Sequence, residues 1–135
     1  MTRRFYLSTR MDRSEEGARI SRALKARGWE CTFDWTSLQD SESTDLSMLA
    51  QTEIEGIRQA DVVVVFLPGG FGTHAEIGAA IALGKPVILH SPSQAVLETP
   101  YPCVFHYHPK VRLIVSKEVD VESVLAALPA SQFPD

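Results

Sequence analysis

One stretch limits what this chain can fold into more than any other. It is Asp61-Val62-Val63-Val64-Val65-Phe66-Leu67, broken at once by Pro68-Gly69-Gly70-Phe71-Gly72-Thr73. Successive side chains of a strand point to opposite faces, so a half-exposed strand alternates apolar and polar residues. Four valines and a phenylalanine in a row leave no face for water. Such a strand belongs in the middle of a parallel sheet, with both faces covered by helices. Proline and glycine then end it. The small residues that follow predict a helix from about His74 to Leu83, stopped by Gly84.

The rest of the chain repeats this alternation. Phe5-Tyr6-Leu7, ending in Ser8-Thr9, reads as a buried first strand. Ser14 is placed to cap a helix that opens on Glu15 and Glu16, carries Ala18, Ile20, Ala23 and Leu24 at helical spacing, and stops at Gly28. Glu30 to Trp35 reads as a second strand and Thr36 to Thr44 as a loop. Leu46, Leu49, Ala50, Ile54 and Ile57 recur at three and four, which predicts a helix ending near Ala60. Lys85 to His90 reads as a strand and Ser91 to Pro102 as a proline-marked loop. Cys103 to Tyr107 and Val111 to Val115 read as short β segments, and Val121 to Leu128 as a last helix. Strands alternating with helices in this way predict an α/β fold, an open Rossmann-like parallel sheet flanked by helices, with ligands at the carboxyl ends of the strands. With 135 residues there is room for one such domain, assigned to 1–128, and a tail over 129–135.

Charge narrows the partner. The net charge is −4, but residues 1–30 carry eight basic against four acidic side chains, and the remainder five basic against thirteen acidic. A nucleic-acid polymer needs a broad basic face, which argues against one here. The basic segment is better matched to a small anion at one mouth of the sheet. The two cysteines, Cys31 and Cys103, suggest free buried thiols rather than a disulfide framework. The first residues lack an apolar core for a signal peptide, and the longest apolar run is far short of a membrane span, so a soluble cytoplasmic protein is expected. His106 and His108 would share one strand face, and no further ligand completes a metal set with them, so neither a metal nor a cofactor is expected.

The chemistry is expected after the central strand. Glycines at a strand-to-helix junction permit φ > 0 and close approach of a ligand, and the free N–H groups of the helix start suit a phosphate. Gly69, Gly70, Phe71, Gly72, Thr73 and His74 are therefore candidate binding residues. Glu76 falls in the presumed first turn, where the helix dipole would hold it ionised. A positioned carboxylate can attack an anomeric carbon. Gly78, with Ala79, Ala80 and Ala82, suggests a helix lying very close to the sheet. Arg10 and Arg13 follow the first strand at the same edge and are candidates for phosphate contact.

These residues carry a resemblance. Ala60 to Val65, Gly72-Thr73-His74-Ala75-Glu76-Ile77-Gly78 and Ala82 to Val87 together resemble the nucleoside 2-deoxyribosyltransferase superfamily, which includes small 5′-nucleotide N-glycosidases. The GTHxEIG form is similar to that of CMP-hydrolysing members. Phe5-Tyr6-Leu7-Ser8-Thr9 matches the family's opening strand, and Glu53-Ile54-Glu55-Gly56-Ile57 its acidic second helix. Gly70 stands where transferases carry an acid and deoxynucleotide hydrolases a serine, and Glu53 stands where an aspartate is usual. The resemblance implies a five-stranded flavodoxin-like sheet and a homodimer whose sites are completed by the neighbouring chain. It also implies cleavage of the N-glycosidic bond of a nucleoside or nucleoside 5′-monophosphate, by hydrolysis or transfer. Glu76 would be the nucleophile, Tyr6 would orient it, and Glu53 or His74 would manage the leaving base's proton. Ser8, Arg10 and the glycine turn would hold substrate, with Phe71 over the base. Pro68 to Glu76 also fits the PGGxGTxxE signature of phosphoribohydrolases, which break the same kind of bond. A non-catalytic nucleotide-binding module is the alternative of a different class. A Rossmann dehydrogenase is disfavoured, because no ribose-binding acid ends the strand Val87 to His90.

Overall fold

The computed structural model describes residues 2–10, 13–33, 45–98 and 100–128. The expected strand residues Asp34 and Trp35, the loop over 36–44 and the tail over 129–135 lie outside the described residues. Five parallel strands form one sheet: β1 (Arg4–Ser8), β2 (Glu30–Cys31), β3 (Val62–Phe66), β4 (Val87–Ser91) and β5 (Val111–Val115). Their order across the sheet is β2-β1-β3-β4-β5. β3 is central and buried at every position, as its unbroken apolar run requires. This is the flavodoxin-like order, and its crevice lies between β1 and β3, where the chain reverses its direction of winding.

Alternation along the strands divides the core in two. Phe5 and Leu7 of β1, with Val62, Val64 and Phe66 of β3, face α1 (Ser14–Ala26) and α5 (Val121–Ala126). Tyr6 of β1, with Val63 and Val65 of β3, faces α2 (Leu46–Gln59), α3 (Phe71–Ala82) and α4 (Gln94–Glu98). The register pairs Tyr6 with Val63 and Ser8 with Val65. Side chains two apart share a face, so Tyr6 and Ser8 both point toward the α2/α3 layer.

Several local expectations change. α1 takes Arg13, not Ser14, as its N-cap, and no side chain caps it. α2 is capped by Asp45, whose carboxylate accepts the Met48 N–H at 3.2 Å. α3 starts at Phe71 rather than His74, with Gly70 as its cap. The loop after β4 contains α4. Val104–Tyr107 is a 3-10 turn and not a strand. α5 ends at Ala126, two residues early. Gly28 and Gly84 do close their helices with positive φ, 92° and 75°. Neither Cys31 nor Cys103 is in a disulfide, and both are half-buried rather than buried.

Close packing of helix on sheet comes from a different glycine than expected. A Cβ on Gly78 would meet open space, whereas one on Gly56 would stand 3.0 Å from the Tyr6 ring. Gly56 therefore lets α2 lie directly on Tyr6. Among the described residues, no helix is long and apolar enough to cross a membrane.

Candidate active site

Glu76 is the centre of a buried polar cluster on the α2/α3 face. The residue is only 9% exposed. Ser8 Oγ donates to Glu76 Oε1 at 2.6 Å. The Tyr6 hydroxyl donates to Glu76 Oε2 and stands 3.5 Å from Glu53 Oε1. Three elements converge: β1 supplies Tyr6 and Ser8, α3 supplies Glu76, and α2 supplies Glu53. The Gly56 contact explains the last, because it seats α2 one turn beyond Glu53 against the Tyr6 ring. Gly56 is thus a site residue that sequence reasoning missed. Its only sign in the chain is a glycine inside an otherwise good helix, where glycine costs about 1 kcal/mol and calls for a packing reason.

The electrostatics differ from expectation. Because α3 begins at Phe71, Glu76 sits in the second turn, beyond the reach of unpaired N–H groups at the helix start. Burial pushes its carboxyl up to about 8, and the hydrogen bond with Glu53 pushes the same way. The Ser8 and Tyr6 hydroxyls oppose this by donating to the charged form. Burial therefore favours the neutral form of Glu76, against the ionised one that the helix-dipole argument predicted. The Tyr6 phenol is pushed far above its usual range, first by burial and then by Glu76, so it stays a donor.

The glycine turn is built for contact rather than for unusual dihedrals. None of Gly69, Gly70 and Gly72 has positive φ. Gly69 is required by packing, since its Cβ would fall 2.5 Å from Thr73 Cγ2. A Cβ on Gly70 or Gly72 would meet nothing within 4 Å. The cap residue Gly70 has no side chain to cover the first N–H groups of α3. Thr73 is buried and packs under the turn, while Phe71, the first residue of α3, is 99% exposed.

Other candidates fall elsewhere. Arg10 is exposed just past β1, and its carbonyl accepts the Arg13 N–H at 3.0 Å. Arg13 is a clamp within the protein. Its guanidinium donates to the Leu67 carbonyl, pairs with Glu16, lies over the Phe66 ring at 5.2 Å and approaches His90 Nδ1 at 3.3 Å. That arrangement holds the turn after β3 and replaces the expected role in phosphate contact. Burial, and then the Arg13 charge, keep His90 neutral by lowering its pKa. His74 does not join Glu76. Residues two apart on a helix face different ways, and His74 instead places Nδ1 2.9 Å from the Gly70 carbonyl and Nε2 2.9 Å from His106 Nε2. His106 and His108 do not share a face, because the segment is a 3-10 turn. His108 Nδ1 accepts the Lys110 N–H at 3.0 Å. A groove of about 730 Å³ between α1 and the loop before α5 lies across the sheet from Glu76 and is lined by none of the candidate site residues.

Comparison with known proteins bears on the fold and the family. The family model described as nucleoside 2-deoxyribosyltransferase matches residues 5–123. The fold is similar to that of a CMP N-glycosidase from Clostridium botulinum, with TM-score 0.66, 24% identity, and 93% of this chain and 100% of that chain covered. A conserved protein from Enterococcus faecalis V583 aligns with TM-score 0.70 and 18% identity over 94% of this chain and 97% of that one. A 2-deoxyribosyltransferase from Bacillus psychrosaccharolyticus aligns with TM-score 0.63 and 19% identity over 96% and 95%. At such identities the likeness establishes the shared fold. A search of curated proteins finds no match.

Proposed function

Because the chain belongs to the nucleoside 2-deoxyribosyltransferase family, we propose that it cleaves the N-glycosidic bond of a nucleoside 5′-monophosphate with Glu76 as nucleophile. The observation that carries this reading is the Glu76 carboxyl gripped by Tyr6 and Ser8 beside Glu53, at the carboxyl edge of β1 and β3. A purely structural glutamate has no need of burial beside a second carboxyl.

The neutral state of Glu76 defines the first step. Its proton passes to Glu53, which frees a Glu76 oxygen to attack C1′ of the sugar. The bond from C1′ to the base nitrogen breaks, its electron pair leaves with the base, and Glu53 returns the proton to the base. Tyr6 and Ser8 stabilise the carboxylate while it is charged. Water then hydrolyses the glycosyl ester, or a second base accepts the sugar. The 5′-phosphate lies at the uncovered N–H groups that open α3, beside Gly70 and Gly72. The family match favours this route over the phosphoribohydrolase reading of Pro68 to Glu76. The homodimer is likewise a proposal, supported by the exposed Leu46, Met48 and Ile54 on the helix that carries Glu53.

Incubation with CMP, dCMP and the other common nucleosides and monophosphates, with free base followed by chromatography, tests the assignment. CMP is the first substrate to try, given the similar fold of the Clostridium protein. Base should appear with the wild type and not with Glu76→Ala. Nucleotide binding without base release from any substrate would overturn the enzymatic reading in favour of a binding module.

A further inference from the structure

A second cluster lies on the other side of His74 from the carboxyl site. His74, Cys103 and His106 each present one ligand atom, and these atoms all lie within 4.8 Å of one another. Nothing in the linear spacing groups them. The 3-10 turn does half of the work, since residues three apart eclipse in that geometry, and the His106 N–H closes on the Cys103 carbonyl at 3.0 Å. The α3 helix supplies the other half by presenting His74 from its first turn.

The donor chemistry is that of a transition-metal site. The Gly70 carbonyl, 2.9 Å from His74 Nδ1, fixes the ring proton there and leaves Nε2 as a lone pair. That lone pair faces His106 Nε2 at 2.9 Å. His106 Nδ1 is buried without a hydrogen-bond partner, so neither ring nitrogen is committed to a backbone or carboxylate group. Donor atoms around a tetrahedral Zn²⁺ stand roughly 3.3–3.8 Å apart, a spacing bracketed by those found here. A cavity of about 400 Å³, walled by Pro68, Leu97 and Tyr101 together with the three donors, opens beside them. It provides access for an ion and room for a water ligand.

We propose that His74, Cys103 and His106 bind Zn²⁺, with the fourth position held by water facing this cavity. Two imidazoles and a thiolate are ligands that zinc takes readily. Binding releases the Cys103 thiol proton to solvent. The ion ties the start of α3 to the segment before β5. This proposal stands independently of Glu76 chemistry.

Equilibrium dialysis of the purified chain against Zn²⁺, followed by metal analysis, should find one ion per chain. Loading with Co²⁺ should produce cobalt–thiolate charge-transfer absorption. Zn²⁺ at about 100-fold over its Kd should raise Tm by several degrees. Cys103→Ser should weaken Zn²⁺ binding at least tenfold and remove both the absorption and the Tm rise, while Cys31→Ser and His108→Ala should leave all three unchanged. Cys103 is half-buried, so its serine variant avoids the folding risk of replacing buried His106. No stoichiometric Zn²⁺ on the wild type would overturn the site. So would binding and absorption that survive Cys103→Ser or disappear with Cys31→Ser.

Discussion

Replacing the central carboxyl by its neutral isostere should stabilise this protein while destroying its activity. In Glu76→Gln the side chain keeps its length and shape. The amide oxygen can accept from Ser8 or Tyr6, and the amide nitrogen can donate to Glu53. What disappears is the charge that a buried site resists. Glu76 has a pKa of about 8 in the folded protein against an ordinary 4.5. Between those values the folded state keeps a proton that the unfolded chain has lost. Wild-type stability therefore falls as pH rises from 4.5 through 8, and the full penalty is present above 8. One pKa unit corresponds to about 1.4 kcal/mol, so the separation sets a ceiling of roughly 5 kcal/mol. Relaxation around the charge and its coupling to Glu53 reduce this to an expected gain of about 2–4 kcal/mol for the variant.

Thermal unfolding of both proteins from pH 4 to pH 9 measures this. At about 3–4 °C per kcal/mol for a domain of this size, the variant should melt roughly 6–15 °C higher at the alkaline end. Near pH 4 the difference should shrink to a degree or two, since Glu76 is then protonated in both states of the wild type. Base release should fall by about 10³-fold or more, as the nucleophile is gone. A variant that is less stable than wild type at alkaline pH, or whose gain does not change with pH, would refute the buried-charge argument.

Other perturbations address neighbouring parts of the site. Wild-type base release at low substrate should fall about tenfold per pH unit above about pH 8, because the proton that Glu76 brings to the proposed reaction is then lost; a rate that keeps rising through pH 9 would contradict it. Tyr6→Phe removes a donor that favours the charged form, so activity should drop by about 10–100-fold and the midpoint of that profile should move to higher pH. Gly69→Ala places a methyl 2.5 Å from Thr73 Cγ2 and should cost about 1–3 kcal/mol in denaturant unfolding, whereas Gly70→Ala, with nothing within 4 Å, should cost under about 1 kcal/mol. Gly56→Ala should raise intrinsic helix propensity and yet lower activity, measured as kcat, by pushing α2 and Glu53 off the Tyr6 ring.

The sheet was readable because burial on both faces writes itself into sequence as an unbroken apolar run, and β3 has one. The 3-10 turn at Val104–Tyr107 was not readable. Its aromatic and β-branched residues carry strand propensity, and four residues are too few to reveal a three-residue period. The start of α3 was misplaced for a related reason. Gly70 and Gly72 read as loop, although a helix tolerates glycine at its cap and leaves its first N–H groups unpaired in any case.

The site residues were legible as a set, but their chemistry was not. Glu76, Tyr6 and Ser8 could be named from short motifs because each lies at the end of an element that the pattern locates. The state of Glu76 depends on something no motif carries, its burial in the tertiary fold, to which the placement of Glu53, 23 residues away in sequence, adds. That placement rests on the absence of a side chain at Gly56, which lets α2 approach Tyr6. A local rule, acids near helix starts, predicted an ionised group; burial, with Glu53 beside it, pushes toward a neutral one. The reversal matters for mechanism. A carboxyl that is already ionised can attack but has no proton to lend. In the proposed mechanism, a neutral one beside a second carboxyl brings to the site the proton that the departing base requires, so the same burial that strains the fold at alkaline pH would supply the acid for the glycosidic step.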